Sequence, residues 1–181
     1  MYRCMYLCTR RCLCQKVTSV VGSATVSEKT WKTYPIKNPK LINIAETTPG
    51  VALSFSEEQY LKLQKGLIPQ KMEDKWYINF ENDWLYFHRS WTGAEILRTE
   101  IIKENSESEG MKYSIKEFYA ERDEGENSGG DDVFDLAVLT QLIYWGLLGI
   151  DIRDDFIQKY GSGPKNTMLV WSVFGRLFFP E

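Results

Sequence analysis

Aromatic and branched residues alternate with polar ones from Trp76 to Arg89, and the alternation is interrupted once, at Glu81-Asn82-Asp83. Runs of this composition favour strands, and Asn and Asp accept the backbone of a tight connection, so the pattern predicts a β-hairpin. Side chains of a strand point alternately to opposite faces. Trp76, Ile78 and Phe80 therefore share one face, with Tyr77 and Asn79 on the other. On the second strand Trp84, Tyr86 and His88 alternate with Leu85, Phe87 and Arg89. Both faces carry aromatics, which predicts one buried face and one partly covered face.

The flanking sequence extends this ribbon. Ala94 to Lys103 reads as a third strand, with Leu97, Thr99 and Ile101 in phase. Glu104 to Gly110 reads as a polar turn, and Tyr113 to Ala120 as a fourth strand with Tyr113, Ile115 and Tyr119 in phase. Upstream, Pro35, Pro39 and Pro49 mark an extended lead-in that holds one edge strand near Leu41. Ser56 and Gln59 form a capping-box pattern opening a short helix that ends at Gly66. Downstream, Asp131 and Asp132 open a helix apolar over most of its circumference, from Val133 to Leu148, which must be buried on more than one side. A short helix from Asp151 to Tyr160 follows. The run from Met168 to Phe179 either joins the core or stays exposed as a partner patch. The expected fold is α+β: an antiparallel β-meander of about four strands packed against one long and two short helices.

With 181 residues, 43% hydrophobic and 14% aromatic, the chain can build one sizeable core. The net charge of −3 gives no reason to expect nucleic-acid binding. The charge is uneven, however. Residues 1–40 hold eight Lys and Arg against one Glu, and residues 100–135 hold twelve Asp and Glu against four Lys and Arg. Such asymmetry can steer a partner, or it can mark a solvated tail and a solvated acidic loop. No run is apolar enough for a membrane helix, and Arg10, Arg11 and Lys16 interrupt any secretory signal, so a cytoplasmic location is expected.

All four cysteines, Cys4, Cys8, Cys12 and Cys14, fall in the first 14 residues. Zinc usually takes two cysteine pairs separated by a loop, a spacing this segment lacks. A disulfide framework has no cysteine elsewhere to staple. The remaining reading is a basic, Cys-rich, disordered tail over residues 1–30, ahead of a single α+β domain over residues 31–181.

Candidate chemistry is sparse. His88, Arg89, Ser90 and Thr92 crowd hydrogen-bonding groups at a strand end, beside a turn in which Gly93 can take positive φ. Such a cluster could hold a phosphate or carboxylate. It could equally be Ser90 and Thr92 bonding the local backbone while His88 and Arg89 face solvent or a carboxylate. On the first reading Arg89→Ala weakens anion binding and leaves stability nearly intact. Asp131 and Asp132 could bind Mg²⁺ with a phosphate, or simply cap their helix. A single histidine excludes sites that need several, and no nucleophile elbow, phosphate loop or dinucleotide fingerprint is present, so no cofactor is expected.

The stretch KWYINFENDWLYFHRSWTG, from Lys75 to Gly93, resembles the core of a small group of mostly bacterial proteins that share a K-W…LYFHRSWTG pattern. The resemblance covers residues 70–103 well and the remainder loosely. It implies a compact domain built round the hairpin, and it implies no chemistry. Two functions follow from the residues themselves. One is a non-catalytic interaction or regulatory domain that meets a protein partner through its acidic surface or aromatic C-terminus. The other is a binder or hydrolase of a phosphorylated small molecule or nucleotide, with His88 and Arg89 facing the substrate.

Overall fold

The computed structural model describes residues 31–106, 110–123, 131–161 and 163–179. The chain divides into two units, Met1–Thr30 and Trp31–Glu181, and every described residue belongs to the second. The reading of the cysteine-rich segment therefore lies outside the described residues, as do residues 107–109 and 124–130 of the acidic stretch.

The hairpin forms as its alternation predicts. Strands β3 (Trp76–Glu81) and β4 (Trp84–Arg89) pair antiparallel, with Trp76 opposite Arg89 and Glu81 opposite Trp84. Asn82 and Asp83 take φ of 51° and 67°, the doubly left-handed geometry of a two-residue turn that matches strand twist.

The expected four-strand meander is corrected. The described residues hold eight strands in two sheets and five α-helices. Each of the two long strands read from the sequence bends from one sheet into the other. The first becomes β5 (Glu95–Glu100) and β6 (Ile102–Ser106), turning at the buried Ile101. The second becomes β7 (Gly110–Ile115) and β8 (Glu117–Glu121), turning at Lys116. In the second, a slip of phase marks the bend: Tyr113 and Ile115 are buried on one parity, Phe118 and Ala120 on the other. Tyr119 is consequently half-buried on the outer face rather than in step with Tyr113. The turn expected over 104–110 shrinks as well, because Glu104 to Ser106 pair with β7.

With β1 (Pro39–Asn43) at the edge, the first sheet runs β1-β8-β5-β4-β3, all antiparallel. A short strand that the sequence did not announce, β2 (Leu53–Phe55), completes the second sheet, β2-β7-β6. Two short helices precede the hairpin: α1 (Ile44–Thr47) and α2 (Glu57–Leu63). The latter has both arms of its capping box, since Ser56 accepts from the Gln59 N–H and Gln59 accepts from the Ser56 N–H.

The long helix is α3 (Asp132–Gln141), which widens into a π-helical turn over Leu142–Leu147. Leu136, Val138, Leu139, Leu142 and Ile143 are all buried, as an apolar circumference requires. Helix α4 (Arg153–Tyr160) follows, and α5 (Pro164–Phe174) replaces the undecided C-terminal run. Val170, Val173, Phe174 and Phe178 enter the core, while Met168, Leu169 and Trp171 remain exposed. The segment is thus buried in part and exposed in part. Among the described residues no helix is long and apolar enough to cross a membrane.

Candidate functional site

Strand alternation gives the five-stranded sheet two unlike faces. Ile42, Ile78, Leu85, Phe87, Leu97, Thr99, Phe118 and Ala120 are buried in the inner row. The outer row holds rings. Trp31 stacks on Tyr77 at 5.4 Å between centroids, and Tyr77 on His88 at 5.7 Å. His88 and Tyr86 follow at 6.5 Å, Tyr86 and Trp84 at 6.4 Å, and Trp84 and Tyr119 at 6.3 Å. The Arg98 guanidinium closes the series 4.9 Å from the centre of the Tyr119 ring, a cation–π distance. Six rings thus cross the sheet in one continuous ladder. Apart from His88, each is half-buried.

His88 sits at the centre of the ladder and is 4% exposed. One ring nitrogen, Nε2, lies within hydrogen-bond distance of the Asn79 amide oxygen, at 3.0 Å. Burial pulls the imidazole below its ordinary pKa, with the nearby Gly93 backbone acting in the opposite direction. The ring is neutral at pH 7.

Opposite His88 on β5 lies Glu95, also 4% exposed. A bulge between Phe87 and His88 shifts the register so that Glu95 and Arg98 both reach the outer side, 3.7 Å apart. Burial raises the Glu95 carboxyl, and Arg98 and the Ile36 backbone hold it down in part. The segment from Trp31 is clipped beside these residues. The Tyr34 N–H donates to the Gly93 carbonyl and the Glu95 N–H to the Tyr34 carbonyl, each at 2.9 Å. Next to it Glu121, 1% exposed, accepts from the backbone N–H groups of Lys37, Asn38, Arg122 and Asp123. Burial alone would raise its pKa, but these four donors outweigh burial and bring it below the ordinary value.

The four residues expected to form an anion site are dispersed. His88 faces outward. Arg89 points inward, lies 4.4 Å from the centre of the Trp76 ring and donates to the Val173 carbonyl at 3.1 Å. Ser90 donates to the Asp74 carbonyl, and the exposed Thr92 accepts from the Ala94 N–H at 3.2 Å. Alternation had already put His88 and Arg89 on opposite faces, so their adjacency in sequence brings no convergence in space.

The acidic pair occupies structural roles. Asp131 caps α3 by accepting from the Phe134 N–H at 2.7 Å. Asp132 takes the Lys40 ammonium at 2.7 and 2.8 Å and the Arg122 guanidinium at 2.8 Å, and Lys40 is the main reason its pKa is lowered. Arg122 also reaches Asp135 at 2.6 Å. Among the described residues no group of three or more His, Cys, Asp or Glu side chains could hold a metal ion.

The residues that sequence reasoning missed are Glu95, Arg98 and Tyr119. Tyr119 was legible in principle, since the Phe118 and Ala120 parity places it outward. The burial of Glu95 was not, because it depends on the bulge. Comparisons with protein-family models, with curated proteins and with solved structures found no match.

Proposed function

We propose that this is a non-catalytic interaction or regulatory domain that engages a partner protein through the outer face of its five-stranded sheet. The observation that carries this reading is the half-buried ring ladder ending on Arg98. Trp, Tyr and Arg are the side chains that dominate the centres of protein interfaces, where rigid rings give contact area at little entropic cost. Glu81, Glu100 and Glu117 share the outward parity of the ladder and are exposed, so they form an acidic rim. The partner surface that complements this face has apolar or aromatic anchors inside a basic border. The alternative, a binder or hydrolase of a phosphorylated molecule, asks His88 and Arg89 to meet one substrate. Their opposite orientations give it no support.

A photoreactive side chain placed at Leu41, on the edge strand beside the ladder, tests the proposal in the producing cell, with Met168 on α5 as the control position. The expected result is a discrete adduct from position 41 only. The captured protein, once purified, should bind about tenfold or more weaker to Trp84→Ala and to Tyr86→Ala, with association slowed by salt. Adducts from position 168 alone, or turnover of a nucleotide or sugar phosphate by the purified chain, would count against it.

A further inference from the structure

Leu67 and Ile78 form an antiparallel bridge on the outer edge of β3. The Leu67 N–H donates to the Ile78 carbonyl at 2.8 Å, and the Ile78 N–H to the Leu67 carbonyl at 2.9 Å. Continued by two residues, that register would set Pro69 opposite Trp76. Proline has no N–H to give, and the pairing stops there. Trp76 is left holding its own backbone N–H and C=O. They share the parity of Ile78, so they point away from β4. Arg89, opposite Trp76, cannot serve them, because its N–H donates to the Ala94 carbonyl and its C=O accepts from the Gly93 N–H, each at 2.8 Å. Among the described residues neither backbone group of Trp76 has a partner. Unpaired main-chain groups at a residue only 2% exposed are rare in native proteins.

In the direction they point lies a cavity of about 260 Å³, which Trp76 itself helps to line. The chain from Leu67 to Gln70, across the edge from Trp76, forms one wall, and Phe174 and Leu177 form another. The charged groups beside it are already engaged. Arg176 holds both carboxylate oxygens of Asp74 at 2.9 Å, and the Lys75 ammonium stands over the Trp91 ring. What the cavity offers a ligand is therefore apolar surface beside one donor and one acceptor of an open strand edge.

We infer that this cavity binds an apolar residue of a short peptide, held as a one-residue extension of the sheet. The N–H of that residue donates to the Trp76 carbonyl, its C=O accepts from the Trp76 N–H, and its side chain lies against Leu67, Pro69 and Leu177. A donor and an acceptor on one residue, in that polarity, are what Pro69 fails to supply, and main-chain pairing of this kind is a common way to capture extended peptides. The bridges at Ile78 and Asp74 close the opening on both sides. They leave about 13 Å of strand between them, which limits the ligand to two or three residues. The site shares no residue with the ring ladder, so its success or failure is independent of the partner reading.

N-acetyl-leucine N-methylamide and its ester analogue, in which oxygen replaces the leucine N–H, are matched probes, since they differ in that donor and little in size. Both are titrated into the full chain while the backbone and indole N–H resonances of Trp76 are followed by NMR. The expected result is a saturable downfield shift of the Trp76 backbone amide, with the indole N–H, which Val173 holds, nearly still. The leucine methyls of the probe should show nuclear Overhauser contacts to Leu177. The ester should bind about tenfold or more weaker, because it leaves the Trp76 carbonyl without a donor. Equal affinity for the two probes overturns the inference. So does a Trp76 amide that stays unmoved up to the solubility of the amide probe, or a probe whose contacts lie elsewhere on the protein.

Discussion

Trp76 and Arg89 face each other across the β3–β4 pair and both donate to one acceptor, the Val173 carbonyl in the last turn of α5. The indole N–H lies at 2.7 Å and the guanidinium at 3.1 Å, with the guanidinium stacked on the indole at 4.4 Å. Orphan carbonyls at a helix end need donors, and cations there complement the helix dipole. The cluster therefore fastens the C-terminal helix to the hairpin. Burial lowers the Arg89 pKa to about 10, yet the group remains charged at pH 7. Arg89→Ala, expected from the sequence to leave stability nearly intact, should instead cost about 2–3 kcal/mol, the range for breaking a buried network. Arg89→Met keeps the apolar stem over Trp76 and should cost less. Urea midpoints at pH 7 rank the variants, and an Arg89→Ala midpoint equal to that of the parent would refute this role.

His88 makes the pH dependence of stability readable, because it is the only histidine in the chain. Its folded pKa lies below the ordinary 6.5 as a result of burial. Below pH 6.5 the unfolded chain therefore binds a proton that the folded chain refuses, so stability falls as the solution is acidified through that point. Above pH 6.5 the group adds no slope. His88→Phe keeps a ring in the ladder and removes the proton. It should flatten the stability profile between pH 7 and 5 relative to the parent. Identical profiles for the two proteins, or an imidazole titrating at or above 6.5 by NMR, would contradict the assignment.

The hairpin, the capped helix α2 and the buried helix α3 were legible because each is written in local chemistry. Alternation names the strands, Asn82-Asp83 permits the turn, Ser56 and Gln59 close the cap, and α3 is apolar all round. The exchange of strands between two sheets was not legible. Its one signal is a slip of phase at Lys116, while Leu97, Thr99 and Ile101 keep one parity into the other bend, so both stretches look like continuing strand until burial is known. The candidate site failed for a different reason. Leu85, Phe87 and Arg89 share a parity, so the pattern already placed a guanidinium among buried side chains, but grouping by sequence proximity hid this. A charged residue in step with a buried row is better read as a tie within the core than as part of a surface cluster.

Asp74 and Arg176 hold the other end of the same attachment. Arg176 donates from Nε and from its terminal NH₂ to the two carboxylate oxygens, each at 2.9 Å, and the Gln70 and Lys71 N–H groups add 2.7 and 3.0 Å contacts. Arg176 first, with smaller help from these backbone donors against burial, brings the Asp74 pKa to about 2. A depressed carboxylate contributes its full stability above the unfolded value of 3.8 and loses it as pH falls toward 2. Asp74→Asn should therefore cost about 2 kcal/mol at pH 7, with the gap to the parent closing between pH 4 and 2. Comparing the two proteins cancels the other acids. A gap that does not change with pH would show that the ion pair contributes little.

Gly93 decides whether the segment from Trp31 can lie against β5. Its φ is +73°, and a Cβ there would sit 1.9 Å from the Lys32 carbonyl oxygen, a backbone atom that cannot give way alone. Gly93→Ala must therefore push the segment off and break the two hydrogen bonds of the Tyr34–Ala94 bridge. The cost should be about 2 kcal/mol, since steric overlap adds to the left-handed backbone penalty. The hairpin needs none of these contacts, so the loss should be local. Hydrogen exchange at the Glu95 amide, which donates to Tyr34, should accelerate strongly, while amides within the β3–β4 pair should change little. Water reaching His88 would also move its pKa back toward 6.5. Unchanged protection at Glu95 in a folded Gly93→Ala protein would mean that the segment does not shield this part of the sheet, and the burial of His88 and Glu95 would need another source.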